Sequence, residues 1–108
     1  MKVDIKGTKI KLTPEIKNYV QKKMDMLEKY LGKVPVIACD VEVGLAVGGQ
    51  KCGEIFRTEV IMEIPGVLLV IEKHESDLYK SIDKVKDHLA RSIKKYKEKL
   101  IDKRRKGR

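Results

Sequence analysis

The sequence predicts an α+β domain of two layers, in which a four-stranded sheet carries two helices on one face. Four segments alternate apolar and polar residues as strands do, and two longer segments repeat apolar residues every three or four positions as helices do. Their order along the chain is strand, helix, strand, strand, strand, helix. A chain of 108 residues can bury one core but not two, so we assign residues 1–102 to a single domain.

The first strand and the first helix lie at the start of the chain. "MKVDIK" alternates, with Val3 and Ile5 on one side. "LTPEIKNYVQKKMDMLEKYLG" predicts one helix, with Thr13 as its N-cap, Pro14 in its first turn and Gly32 at its end. Its inward row is Ile16, Val20, Met24, Leu27 and Leu31. This strand-helix-strand order predicts a parallel first pair of strands, followed by an antiparallel meander.

Three further strands follow, separated by a glycine-rich loop and a tight turn. "VIACDVEVGLAV" predicts a strand from about residue 36 to 47, and "GGQKCG" predicts the loop after it. The strand "EIFRTEVIMEI" has as its inward face Phe56, Thr58, Val60, Met62 and Ile64. Pro65 and Gly66 predict a turn before "VLLVIEKH", a fourth strand whose continuous apolar run leaves its inward face undetermined.

A long helix ends the domain. Ser76 is its predicted N-cap, and its apolar row is Leu78, Ile82, Val85, Leu89, Ile93, Tyr96 and Leu100. The following "DKRRKGR" has no apolar residue, so we expect residues 103–108 to form a disordered basic tail.

Positive charge is concentrated in that last helix and the tail. Residues 1–75 carry 12 Lys and Arg against 11 Asp and Glu, whereas residues 76–108 carry 13 against 5. One stripe of the helix, displaced by one residue from the buried row, holds Lys84, His88, Arg91, Lys95 and Lys99. An ordinary solvated helix surface would interleave acids among these cations, so the stripe favours a polyanionic partner.

Other classes of function have little support in the sequence. Cys39 and Cys52 are too far from each other and from the histidines to form a usual zinc set, so we expect no metal or cofactor. The chain has no P-loop or catalytic triad pattern, and we expect no enzyme activity. Four strand carboxylates, Asp40, Glu42, Glu59 and Glu63, are expected to meet water or pair with Arg57. The four tyrosines are expected at the edge of the core rather than stacked on bases.

The segment "EKHESDLYKSIDKVKDHLARSIKKYKEKL" resembles the end of the ribosome hibernation promoting factor family, also described as ribosome-associated inhibitors. The family's D-x-Y-x-x-I-D motif and basic helix pattern are matched by Asp77, Tyr79, Ile82, Asp83, Leu89, Arg91, Lys95, Lys97 and Lys99. The first helix and the strand "RTEVIMEIPG" also fit the family, so the resemblance covers nearly the whole chain.

The resemblance implies a fold similar to the double-stranded-RNA-binding domain. It also implies binding to the small ribosomal subunit at the decoding channel for mRNA and tRNA, which would inhibit translation under stress or in stationary phase. Combined with the charge pattern, it predicts these rRNA-binding residues: Lys22, Lys23, Lys84, His88, Arg91, Lys94, Lys95, Lys97 and Lys99. Relatives commonly have lysine where this chain has His88.

The remaining expectations concern the protein's setting. The resemblance is to the short type of the family, whose members act with or against a small protein that dimerises ribosomes. We expect a cytoplasmic protein without a membrane segment, because the sequence shows neither a leader nor an apolar run of about 20 residues. We also expect a monomer. The alternative is a general RNA- or DNA-binding module with no tie to ribosomes.

Overall fold

The computed structural model of the chain describes residues 1–46 and 55–106, with side chains up to Ile101 in the last helix. The elements in chain order are β1 (Asp4–Thr8), α1 (Pro14–Asp25), α2 (Glu28–Leu31), β2 (Ala38–Leu45), β3 (Phe56–Ile64), β4 (Val67–Glu75) and α3 (Leu78–Lys106). The predicted loop around Cys52 lies outside the described residues.

The sheet confirms the predicted topology. Its strand order is β1-β2-β3-β4, with β1 and β2 parallel and the other neighbours antiparallel. Gly44 on β2 permits the close approach of the first two strands, because a side chain there would collide with the backbone of Thr8. Gly66, at φ 80°, makes the predicted turn between β3 and β4.

One core lies between the sheet and the helices. It includes buried residues from both amphipathic segments, such as Met24, Leu27 and Leu89, together with Val41 and Met62 from the sheet. Strand β4 presents Leu69 and Ile71 to the core, which settles the face that its sequence left undetermined. The sheet therefore has one face covered by helices and one open to solvent.

A buried polar contact joins α3 to the sheet. The hydroxyl of Ser81 donates to the carbonyl of Leu78 at 2.6 Å. The hydroxyl of Thr58 on β3 lies 2.7 Å from the same oxygen, and it must be the donor since the hydroxyl hydrogen of Ser81 is already used. Both buried hydroxyls thus have partners, which fixes the start of α3 over β3.

Three sequence expectations are corrected here. The predicted first helix is two helices, because the backbone tightens to i→i−3 bonds from Leu27 to Met24 and from Tyr30 to Leu27. The N-cap of α3 is Asp77 and not Ser76, since the Asp77 carboxylate accepts from the backbone N–H groups of the second and third helical residues.

The third correction concerns the end of the chain. The backbone of residues 103–106, assigned above to a disordered tail, continues α3 as far as Lys106. Adding turns to an existing helix avoids the cost of nucleation, and lysine and arginine have high helix propensity.

Candidate nucleic-acid interface

Helix α3 is oriented by its buried row. Ile82, Val85, Leu89 and Ile93 are fully buried against the rest of the core. At the far end, the hydroxyl of Tyr96 donates to the carbonyl of Pro65 at 2.7 Å, which ties the helix to the turn between β3 and β4. The row and this tie fix which side of α3 faces β4.

The predicted stripe lies on the side of α3 that faces β4. Lys84 reaches Glu75 of β4 at 2.6 Å. The charges of Lys73, Arg91 and Lys95 all act on the ring of His88, which places β4 and the stripe side by side. We call this surface the basic flank, and its members are Lys73, Lys84, His88, Arg91, Lys95 and Lys99.

The cations of the basic flank differ in how far they are already neutralised. The charge of Lys84 is partly compensated by Glu75. Among the side chains that the structure describes, Arg91, Lys95 and Lys99 lie within 4.0 Å of no carboxylate. All three side chains are exposed. They are therefore the cations most available to the phosphates of a nucleic acid.

His88 is half-buried at the centre of the basic flank. Its Nδ1 atom is buried, with no hydrogen-bond partner among the described residues. Loss of solvation lowers the pKa of His88, and the charges of Lys73, Arg91 and Lys95 lower it further. The ring is therefore neutral at pH 7 in the free protein, and a nearby phosphate would favour its protonation.

Sequence reasoning missed Lys73. It follows Leu69 and Ile71 at steps of two along β4, so it belongs to the face of the strand that points toward α3. Its charge acts on His88 of the neighbouring helix. The alternation of the strand could have identified Lys73 as an inward residue. The continuous apolar run at the start of the strand, however, left its inward face undetermined from the sequence.

The predicted cations of α1 form a separate group. Lys23 pairs with Asp83 of α3 at 3.2 Å and lies 5.3 Å from the centre of the Tyr19 ring. The Tyr19 hydroxyl donates to the same carboxylate at 2.6 Å, and this bond is the main reason that the pKa of Tyr19 is raised to about 12. Lys22 is exposed on the outer side of α1. The structure thus places Lys22 and Lys23 away from the basic flank.

Lys97 and Lys94 are the last two predicted residues, and their surroundings differ. Lys97 donates to the carbonyl oxygen of Tyr30 at 3.1 Å, next to the end of α2. That side chain therefore faces the other helix and satisfies one of its terminal carbonyl groups. Lys94 is exposed.

The described residues offer little for catalysis. They contain no group of three or more His, Cys, Asp or Glu arranged to hold a metal ion. Burial raises the pKa of the Cys39 thiol to about 12, so it is not a ready nucleophile. The expected pairing of Arg57 is confirmed for Glu42 at 2.7 Å and Glu59 at 3.2 Å. Arg57 also pairs with Glu72 at 2.9 Å, a partner not predicted from the sequence. No helix in the described ranges is long and apolar enough to cross a membrane.

Comparisons with known proteins agree with this picture. The model of the family described as "Sigma 54 modulation protein / S30EA ribosomal protein" matches residues 3–101. A ribosome hibernation promotion factor of Deinococcus radiodurans is 30% identical over 105 residues, which are 96% of this chain and 53% of that protein. One from Staphylococcus aureus is also 30% identical over 105 residues, covering 97% and 53%. The chain therefore spans about half the length of the curated relatives it matches.

Two solved structures share the fold. The N-terminal domain of Thermus thermophilus Protein Y superposes with a TM-score of 0.74 at 29% identity, covering 86% of this chain and 94% of that one. A ribosomal subunit interface protein from Coxiella burnetii gives a TM-score of 0.71 at 15% identity, covering 91% and 99%, and that likeness shows the fold alone. The α+β fold predicted from the sequence is confirmed.

Proposed function

Because this chain belongs to the Sigma 54 modulation protein / S30EA ribosomal protein family, we propose that it acts as a ribosome hibernation factor. In this proposal it binds the small ribosomal subunit at the decoding channel and keeps mRNA and tRNA out, which inhibits translation under stress or in stationary phase. The observation that carries the proposal is the family match over residues 3–101, supported by two relatives with that name.

The basic flank supplies the physical basis for binding. Exposed Arg91, Lys95 and Lys99 can contact the phosphates of rRNA, and each contact releases counterions from the RNA. Phosphate contacts fix position and orientation without reading sequence, so selectivity would come from the shape of the RNA. The action needs neither a chemical step nor a cofactor, and a cytoplasmic monomer is sufficient for it. Among the other predicted cations, Lys22, Lys23 and Lys94 would make outlying contacts.

Gradient sedimentation with purified ribosomal subunits tests the proposal. We expect the protein to travel with small subunits and to leave them as salt is raised. Translation in a purified system should be inhibited, and excess mRNA together with tRNA should partly relieve that inhibition, because all compete for one channel. Inhibition that neither competitor relieves would contradict occlusion of the channel.

A general nucleic-acid-binding module is the second candidate. It is favoured by the lysine and arginine side chains of the basic flank, which suit the phosphates of any RNA or DNA. The same gradient distinguishes the two functions, since a general binder would spread over large subunits, tRNA and unrelated duplexes. Preference for small subunits at matched nucleotide concentration would reject it.

A further inference from the structure

The sheet has an outer face that no helix covers. Alternation along the strands sends one set of side chains to the core and the other set to this face. The outward set includes exposed residues from all four strands, among them Asp4, Asp40, Glu63, Leu68 and Val70. We call this surface the outer sheet face.

Apolar side chains occupy one end of the outer sheet face. Leu68 is 60% exposed and Val70 is 54% exposed. Val70 pairs across the ladder with half-buried Ile61, and Leu68 lies opposite Glu63, which in turn faces exposed Ala38. Contiguous exposed side chains of this kind mark an interaction surface more often than isolated ones do.

The rest of the outer sheet face is acidic. Its outward positions carry six carboxylates against two cations, Lys6 and Arg57, although the whole chain has a net charge of +9. The carboxylates are those of Asp4, Asp40, Glu42, Glu59, Glu63 and Glu72. The single charge of Arg57 is shared by three of these carboxylates and can neutralise only one of them. The outer sheet face therefore keeps an excess of negative charge.

This combination restricts the partner. Phosphates would be repelled by the carboxylates, so the outer sheet face does not suit RNA. Two copies meeting through this same face would oppose like charges. We propose that the outer sheet face is a second interaction surface, which binds a protein segment rich in lysine and arginine that also carries apolar side chains. The carboxylates around the apolar end are complementary in charge to such a segment, and charge complementarity of this kind gives an interface its specificity.

The occupant would use both parts of the surface at once. Every second side chain of an extended segment points to the same side, so apolar residues on the side that meets the sheet can cover Ile61, Leu68 and Val70. Cations further along that same side can then reach Asp40 and Glu63. The proposal goes beyond ribosome hibernation, because the outer sheet face lies on the opposite layer from the basic flank and needs no RNA. A domain built in this way can hold RNA and a basic protein simultaneously.

Titration of the isotope-labelled protein with synthetic peptides, followed by amide chemical shifts, tests the proposal. The probe is a peptide with serine at every second position and with leucine and lysine in turn at the positions between, so that leucine and lysine share one side of the extended chain. Its control has serine in place of each leucine. We expect the first peptide to shift amides of Ile61, Leu68 and Val70, and to bind at least about tenfold more tightly than the control. Equal affinity for both, or shifts confined to other regions, would overturn the proposal.

Matched variants of the protein sharpen the test. Leu68→Ser with Val70→Ser removes exposed apolar groups, and Asp40→Asn with Glu63→Gln removes charge; both pairs should weaken binding by at least about tenfold. Glu15→Gln with Glu98→Gln makes the same charge change on the helices and should bind as the wild type does. Binding retained by the first two pairs would overturn the proposal. Shifts at this face on concentrating the protein alone would also overturn it, because a second copy would then be the occupant.

Discussion

At the residue scale, Arg57 organises the charged part of the outer sheet face. It pairs with Glu42 of β2, with Glu59 of its own strand and with Glu72 of β4. Hydrogen bonds from Arg57 lower the pKa of Glu42 and of Glu72 below their ordinary value of 4.5. Glu42 and Glu72 can therefore stay ionised close to one another, and three strands are joined through one guanidinium group.

We predict that Arg57→Met reduces the acid sensitivity of folding. In the wild type, the stabilisation from Glu42 and Glu72 is fully present above about pH 4.5 and is lost as pH falls through their lower folded pKa values. In the variant, the unpaired carboxylates repel one another at pH 7, and protonation relieves that repulsion. The free energy of unfolding should fall by about 1 kcal/mol at pH 7 and by less at pH 3.5, as measured by urea denaturation.

A matched control separates this network from net charge. Lys11→Met removes an exposed cation from the loop before α1, so it should leave the pH dependence of stability as it is in the wild type. A variant Arg57→Met whose stability falls with acid as steeply as that of the wild type would show that the pairing does not set the pKa values.

His88 gives a second prediction at this scale. His88→Lys places a permanent cation among Lys73, Arg91 and Lys95, where the neutral ring now sits. The free protein should lose less than about 1 kcal/mol of stability through repulsion. Its affinity for the small subunit should be at least that of the wild type, and the log-log salt slope should steepen by about one unit.

The contrary result would identify a different role for the ring. His88→Gln keeps a neutral polar side chain, so it is the control for size and burial. If His88→Lys folds but binds more weakly than either His88→Gln or the wild type, the imidazole itself makes a contact that lysine cannot replace.

At the element scale, α3 carries polar side chains that make contacts on both sides of its buried row. One side carries the basic flank beside β4, and the other faces α1 and α2 through Asp83 and Lys97. Helical spacing predicted the stripe, and the family resemblance together with the charge pattern added Lys97 to the predicted RNA-binding residues. Only the packed structure shows that Lys97 donates a hydrogen bond to the carbonyl of Tyr30, because that residue lies 67 positions earlier in the chain.

Lys95 and Lys97 should therefore respond differently to replacement. Lys97→Met removes a hydrogen bond to the end of α2, so the free energy of unfolding should fall by about 1 kcal/mol while affinity for the small subunit changes little. Lys95→Met should leave stability within about 0.5 kcal/mol and weaken binding, with a salt slope smaller by about one unit. Denaturation and binding assays on both proteins give the comparison. Equal losses of affinity would mean that Lys97 also binds RNA.

Sequence patterns predicted the elements better than their interruptions. Thr13, Pro14 and Gly32 gave the outer limits of the first helical segment, and all three act as expected. The break between α1 and α2 contains neither glycine nor proline, so nothing in the local sequence marked it. Met24, Leu27 and Leu31 are all buried across the break, so the predicted inward row survives it.

At the scale of the whole molecule, the two layers carry opposite charge. The helix layer holds the basic flank, and the outer sheet face holds six carboxylates against two cations. The net charge of +9 describes neither surface. Sequence counting located the positive excess in the last third of the chain, but the acidic face stayed hidden because its residues come from four separate strands.

Location of charge should therefore matter more than its total. Reversing Arg91, Lys95 and Lys99 to Glu should sharply weaken binding to the small subunit and flatten its salt dependence, since three phosphate contacts are lost. All three side chains are exposed and none pairs with a described carboxylate, so the fold should persist by circular dichroism. The assay is a salt series at fixed pH.

The control carries the same change of net charge at other places. Reversing Lys2, Lys11 and Lys17 to Glu alters three exposed cations outside the basic flank and should have a much smaller effect. If both triple variants lose affinity equally, the domain binds through its overall charge, and the basic flank is not the binding face.

The opposite charges of the two layers give the molecule an electric dipole. Near a polyanion, such a body experiences a torque that turns the helix layer toward the surface and the sheet away from it. Rotation can begin before any contact forms, within about 8 Å of the RNA at physiological salt. A larger fraction of encounters then occurs in the correct orientation. Association is therefore faster than for a domain that has the same net charge but distributes it evenly over its surface.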